Sequence, residues 1–339
     1  MRKGKNDSKD AYLKLKKAYH RIIIPLHIPD EKEYYAQSYQ IFEMCLASIH
    51  KTTVNDVVIS VICNACSAEV LERVFKLYND GELDEFIVVR EGIGKINAIL
   101  KALRCSQERL ITITDADVLF LNGWEEEVIH TFEAFPKAGV VSPVPVFRRH
   151  NNLTHNIWFD YLLSKKLGFT KVKNPEAMTR FANSIGWPWL DEKYKDIILT
   201  LSGRNNTKAV VGSPHFVATY KREVFVALPN ENSNFQLGGD SELKYTDEPV
   251  IKCGGYRLAT EDNYGYHIGN TLEDWVLEEY KQLKFESKRE LRPNLKILTP
   301  SKISYTLKSR LFQKLVTFRP ILIAFLRLKG VPKNKLKHF

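Results

Sequence analysis

Short apolar runs and amphipathic stretches alternate through the first half of the chain. Residues 21–26, 56–63, 85–89 and 110–114 are rich in β-branched and apolar side chains and read as buried strands. Residues 67–78 and 95–103 place apolar side chains at helical spacing, and Asp30 can cap a further helix over about 33–50. A helix over 124–135 and a strand over 139–143 extend the series. Continuous apolar strands separated by helices predict an α/β fold with a mostly parallel central sheet covered on both faces. Ligands of such sheets collect at the carboxyl edge, and there two acids, Asp115 and Asp117, follow the fourth strand.

The pattern breaks after residue 147. Residues 151–206, with Trp158, Trp187 and Trp189 among scattered Asn and Lys, predict an irregular insertion packed over the sheet edge. Regularity resumes at 209–213 and 216–220, followed by a Gly-rich turn at 238–242, a helical stretch to Cys253 and strands at 255–259 and 264–268. The expected organisation is a polar basic leader (1–20), a first half (21–150), the insertion (151–206), a second half (207–290) and a helical basic tail (291–339). No internal repeat or low-complexity segment interrupts it.

Charge separates the tail from the body. The chain carries a net +10, yet residues 291–339 hold twelve Lys and Arg and no acid, leaving the rest at −2. Leu307, Leu311, Leu315, Phe318, Leu322 and Phe325 recur there at helical spacing among Arg310, Lys314 and Arg319. Two readings stay open: an interfacial helix over 301–339 on an anionic membrane, with Lys333, Lys335 and Lys337 adding attraction, or a helix docked on the body. The slightly acidic body and the lack of a nucleic-acid module argue against nucleic acid. No stretch approaches the ~20 apolar residues of a membrane span. The polar start lacks the apolar core of a secretion signal. A cytoplasmic protein is therefore expected, peripheral on the inner face of the cell membrane if the tail binds it. The five cysteines form no regular framework, and Cys63 and Cys66, though spaced CxxC, lack a second pair to complete a zinc site; packing at a strand end is their expected role.

Two carboxylates two residues apart across a turn can face one hard cation, Mg²⁺ or Mn²⁺, that keeps positions open for phosphate oxygens. A solvated turn is the plain alternative. Upstream, Gly92, Gly94 and Lys95 open a helix and form a candidate anion cradle. The string lacks the last Gly of GxGxxG and has Ile96 where a P-loop needs Ser or Thr, which argues against both fingerprints.

Taken in order, the Ile-Pro25 strand end, Asn64 at the second strand end, the helix start Gly94-Lys-Ile-Asn97-Ala, Thr-Asp115-Ala-Asp117, Gly212-Ser213, Gly239-Asp240-Ser-Glu242-Leu and Tyr266-His267-Ile-Gly269 form a set. That set resembles a family 2 glycosyltransferase of the GT-A fold over about residues 21–270. The resemblance implies a metal-dependent, inverting transfer of a sugar from a nucleotide-sugar donor, UDP-linked, to a glycan or lipid-linked acceptor in cell-surface polysaccharide synthesis. By the same likeness Asp115, Asp117 and His267 hold Mn²⁺ or Mg²⁺, with Asp117 the more direct ligand and Asp115 nearer the ribose; a strand histidine satisfied by its neighbours is the plain alternative for His267. Pro25, Asn64, Lys95 and Asn97 meet the donor, Asn64 standing where the family usually has an Asp on the nucleobase. Asp240 takes the acceptor proton, with Glu242 holding the acceptor or acting as the base itself. Both acids could instead cap the following helix, and Trp158, Trp187 and Trp189 could stack on acceptor sugars or pack in the core. A sugar-phosphate nucleotidyltransferase and a non-catalytic glycan-binding protein are the competing readings. The first would carry a Gly-rich, Arg-containing loop after the first strand, which residues 25–29 do not provide.

Overall fold

The computed structural model describes residues 4, 8, 9, 12, 18–147, 149–187 and 192–338; Trp189 lies outside them. Strands β1 (His20–Leu26), β2 (Val57–Asn64), β3 (Glu85–Val89) and β4 (Leu110–Thr114) pair in parallel in the order β3-β2-β1-β4. Their side chains are apolar on both faces because helices cover both. Ile22 and Ile24 of β1 pack with Phe42 of helix α1 (Ser38–Thr52) and Val70 of α2 (Ala68–Asn79). Ile23 points the other way, into a core with Ile96 and Ile99 of α3 (Lys95–Leu103). The Ser67 side chain caps α2 by accepting from Val70 N–H.

Beyond β5 (Val118–Phe120), α4 (Trp124–Ala134) and β6 (Ala138–Ser142), the parallel sheet continues as a mixed one. The outermost strands, β7 (Leu167–Lys171), β8 (Ile197–Ser202) and β9 (Lys208–Val211), are antiparallel to one another. Strand β10 (Val217–Lys221) lies antiparallel between β4 and β6, and β11 (Tyr256–Thr260) joins β6 to β9. A small second sheet pairs β5 with β12 (Gly265–His267).

Three sequence expectations change. The helix expected over 33–50 begins later, at Ser38, because Asp30 closes a turn by accepting from Lys32 N–H at 2.9 Å and a short 3₁₀ turn occupies Glu33–Tyr35. The stretch 151–206 is more regular than its sequence suggests: β7 and β8 extend the main sheet, helices α5 (His155–Asp160) and α6 (Pro175–Ser184) flank them, and Thr170 and Thr200 hydroxyls meet across the strands at 3.1 Å. β7, with Gly168, Thr170 and Lys171 among its five residues, lacks the apolar signature of the central four, whereas β8 carries one as strong as that of β4. Trp158 is not an acceptor platform. It is 1% exposed and stacks on Phe325 with ring centroids 4.2 Å apart.

That stack belongs to the docking of the tail. Lys221, fully buried on β10, donates to the carbonyls of Pro136 and Lys296 at 2.9 Å, and Arg109 donates to Leu295 O, so the segment entering the tail is pinned to the sheet. The helical run from 302 to 316 and the helix Arg319–Leu328 then bury Phe312, Val316, Phe325 and Leu326, and Lys308 pairs with Asp160. No helix among the described residues is long and apolar enough to cross a membrane.

A second buried contact ties the first strand to α4. Glu125, 1% exposed, accepts from Val54 N–H, Asn55 N–H and the Asn55 amide, and meets His20 Nδ1 at 2.6 Å. Burial alone would raise the Glu125 carboxyl, but His20 and Asn55 outweigh it and hold it below the usual range. A depressed acid stabilises the fold above the unfolded-state value of about 4.3 and loses that contribution as pH falls through the folded value. Glu125→Gln is expected to cost about 2 kcal/mol at neutral pH. In urea melts the deficit should shrink as the pH is lowered below about 4.

Candidate functional site

The two acids after β4 are clamped by backbone from opposite sides. Asp115 N–H donates to Phe216 O at 2.7 Å, immediately before β10, and Ile268 N–H donates to Asp117 O at 2.7 Å, immediately after β12. Pairing of β5 with β12 sets His267 opposite Val118. Asp115, Asp117 and His267 thereby present ligand atoms that all lie within 4.8 Å of one another, the one such group of three among the described residues.

The His267 ring is oriented by its neighbours. Ser184 Oγ–H donates to Phe181 O at 2.8 Å, so the same oxygen accepts from His267 Nδ1–H at 2.9 Å. Its other nitrogen, Nε2, lies 3.4 Å from Asp117 Oδ2. The Phe216 and Phe181 rings stand edge-on to the imidazole at 5.1 and 6.1 Å. Asp117 Oδ1 is buried and has no hydrogen-bond partner among the described residues. Burial pushes the Asp117 carboxyl above its usual range, with His267 opposing and Asp115 reinforcing the shift. Two carboxylates, one with an orphaned buried oxygen, and an imidazole nitrogen fit a divalent cation such as Mn²⁺ or Mg²⁺.

Lys95, the first residue of α3, reaches back to the pair. Its Nζ lies 2.5 Å from Asp115 Oδ1 and 3.9 Å from Glu242 Oε1. Burial would lower this ammonium, but Asp115, Glu242 and Asp117 together raise it. Lys95, Asp115 and Asp117 line a cleft of about 410 Å³ whose walls also include Pro25, Tyr34, Asn64 and Gln236, a size suited to a small ligand. Asn64 Oδ1 accepts from Ile93 N–H at 3.0 Å, so its NH₂ group is the end left for a ligand.

Several sequence expectations are corrected by this geometry. Asn97 does not face the cleft as a donor contact: its amide donates to Ser233 O and Ile93 O at 2.8 Å and accepts from Ser233 N–H at 2.9 Å, tying the 233–237 loop to α3. The Gly92-Ile-Gly94 stretch is not a free anion cradle, because Lys95 N–H donates to Gln236 O at 2.9 Å. Gly94 has φ +87° and a side chain there would come within 2.5 Å of Phe235 O, so the glycine admits that loop. Trp187 packs edge-on against Phe147 at 5.5 Å in a separate apolar cluster with Phe181 and Tyr194. Asp240 and Glu242 part company: Asp240 Oδ2 pairs with Lys244 at 2.8 Å with its side chain 42% exposed, whereas Glu242, 19% exposed, turns to Lys95.

Other contributors escape the sequence reading altogether. Ser184 ends α6, within the stretch expected to be irregular. Behind Glu242, Asp247 pairs with the fully buried Arg257 at 2.7 Å, and His215 lies 3.5 Å from Asp247 and 3.4 Å from Arg149. Burial, then Arg257 and Arg149, drive the His215 ring down to about 2, and burial pushes Asp247 up to about 6 against the pull of Arg257. No spacing in the chain marks these residues, since they meet only across the sheet.

Residues 36–194 match the model of the family described as Glycosyl transferase family 2. No curated protein matches the chain. Among solved structures it is similar to the mannosyltransferase PcManGT from Pyrobaculum calidifontis in complex with GDP-Man and Mn²⁺, at 18% identity over 73% of this chain and 55% of that one, TM-score 0.40. It is also similar to GalNAc-T7 with UDP, GalNAc and Mn²⁺, at 12% identity over 78% of this chain and 47% of that one, TM-score 0.46. The chain thus spans about half the length of these structures. The likeness to family 2 glycosyltransferases, read from the ordered motifs, is borne out over residues 36–194.

Ser184 gives a test of the cation site that leaves its three ligands in place. Ser184→Ala removes the acceptor for His267 Nδ1–H, and loss of such a support typically weakens metal binding about 10–100-fold. Titration of Mn²⁺ by calorimetry should show that loss with an unchanged thermal melt of the cation-free protein.

Proposed function

We propose that the protein transfers a sugar, with inversion, from a nucleotide-sugar donor, UDP-linked, to a glycan or lipid-linked acceptor in cell-surface polysaccharide synthesis. The observation that carries this reading is the convergence of Asp115, Asp117 and His267 with Lys95 and Glu242 at the carboxyl edge of the parallel strands. In this reading residues 21–150 hold the donor and residues 207–290 the acceptor side. Pro25 and Asn64 border the base, and the Asn64 NH₂ group donates to a ring carbonyl such as those of uracil.

Asp115, Asp117 and His267 would hold Mn²⁺ or Mg²⁺, which supplies neutralisation of charge on the departing diphosphate. Lys95 keeps Asp115 in place and adds positive charge beside the phosphates. The acceptor hydroxyl oxygen forms the new bond to the anomeric carbon as the bond from that carbon to the diphosphate oxygen breaks, and the hydroxyl proton passes to a carboxylate. We assign that carboxylate to Glu242, because it is the less exposed of the two and shares Lys95 with Asp115, whereas Asp240 lies outward beside the exposed Lys244. The role expected for Asp240 thereby passes to its neighbour.

Glu242→Gln is expected to lower turnover by about 10²–10⁴-fold while UDP affinity in the presence of Mn²⁺ changes little. Asp240→Asn should retain most of its turnover. Release of UDP from a panel of UDP-sugars, followed with and without EDTA, measures both. A Glu242→Gln protein of undiminished turnover would return the role to Asp240, and release of pyrophosphate from a nucleoside triphosphate would replace the transferase reading with a nucleotidyltransferase.

A further inference from the structure

The tail docks on the body through one face and leaves a second apolar row outside. Ile303, Leu307, Leu311, Leu315 and Phe318 are 83%, 45%, 56%, 52% and 62% exposed. Their spacing of four, four, four and three residues lays them along one stripe of the helical run 302–316 and its end. The opposite stripe, with Ser309, Phe312 and Val316, is buried against the body. Contiguous exposed apolar residues on this scale mark a contact surface.

The charges beside the stripe decide what it contacts. Lys302, Arg310, Lys314 and Arg319 are exposed around it, and residues 291–339 contain no acid. A second copy of the chain seated on the stripe would bring these four cations against the same four. An apolar row whose own helical run carries cations and no acid instead matches an anionic lipid surface, where the row enters the acyl boundary and the cations meet headgroup phosphates.

We propose that the outer face of this tail, centred on Leu311 and Leu315, is a docking surface for an anionic lipid bilayer. It extends the proposed function to where a lipid-linked acceptor would be met, and only that link rests on the transferase reading. Docking to the body and docking to a membrane thus use opposite faces of one helix.

Flotation of the full chain with vesicles tests this, using phosphatidylcholine alone and equal parts of phosphatidylcholine and phosphatidylglycerol. The chain should float with the anionic vesicles only, less so as salt is raised. Combining Lys302→Gln, Lys314→Gln and Arg319→Gln should weaken partitioning roughly a hundredfold. Leu311→Gln with Leu315→Gln should do the same, and neither set should shift the thermal melt, since all five side chains are exposed. Failure to float, equal flotation with neutral vesicles, or unaltered binding by the variants would overturn the proposal. So would a dimer in sedimentation that the Leu variants dissolve. Binding of UDP with Mn²⁺, measured on the same samples, reports separately on the transferase reading.

Discussion

Two backbone hydrogen bonds carry the geometry of the candidate site: Asp115 N–H to Phe216 O and Ile268 N–H to Asp117 O, both 2.7 Å. They join the end of a parallel strand to segments that lie about 100 and 150 residues further along the chain. A loop carrying two acids would otherwise splay into water, where Asp side chains are well solvated and no cation site forms. Clamped on both sides, the acids are driven into a partly buried position beside His267, and the orphaned Asp117 Oδ1 is the physical consequence. Backbone pairing therefore creates an electrostatic demand that a divalent cation can meet.

Lys95 answers part of that demand within the protein itself. Its position at the start of α3 depends on Gly94, whose positive φ admits the 233–237 loop, and on Asn97, which fastens the same loop. The loop in turn contributes Gln236 to the cleft wall. One short helix start thus couples the counter-charge of the acids to the shape of the cleft, so residues that looked like phosphate-binding chemistry act through the backbone. The tail shows a parallel economy of faces: Phe312, Val316 and Phe325 attach it to the sheet, while the row from Ile303 to Phe318 faces outward.

The four parallel strands, the helices between them and the place of Asp115 and Asp117 at the carboxyl edge were legible in the sequence. Local periodicity and β-branched content report burial directly, and the alternation of strand and helix leaves little freedom in how the sheet is wound. His267 was legible only through its place in an ordered set of motifs. What the tertiary structure alone decided concerns direction. Asp240 and Glu242 lie two residues apart at the start of a helical turn, which separates their side chains by about 200°, so only one can face Lys95. Trp158 and Phe325 meet across 167 positions, and Ser184 reaches His267 across 83, contacts that no local pattern encodes. The physical reason is the same in each case. A residue's type and spacing determine what it can do, whereas which way it points, and against what, depends on elements distant in the chain that pack beside it.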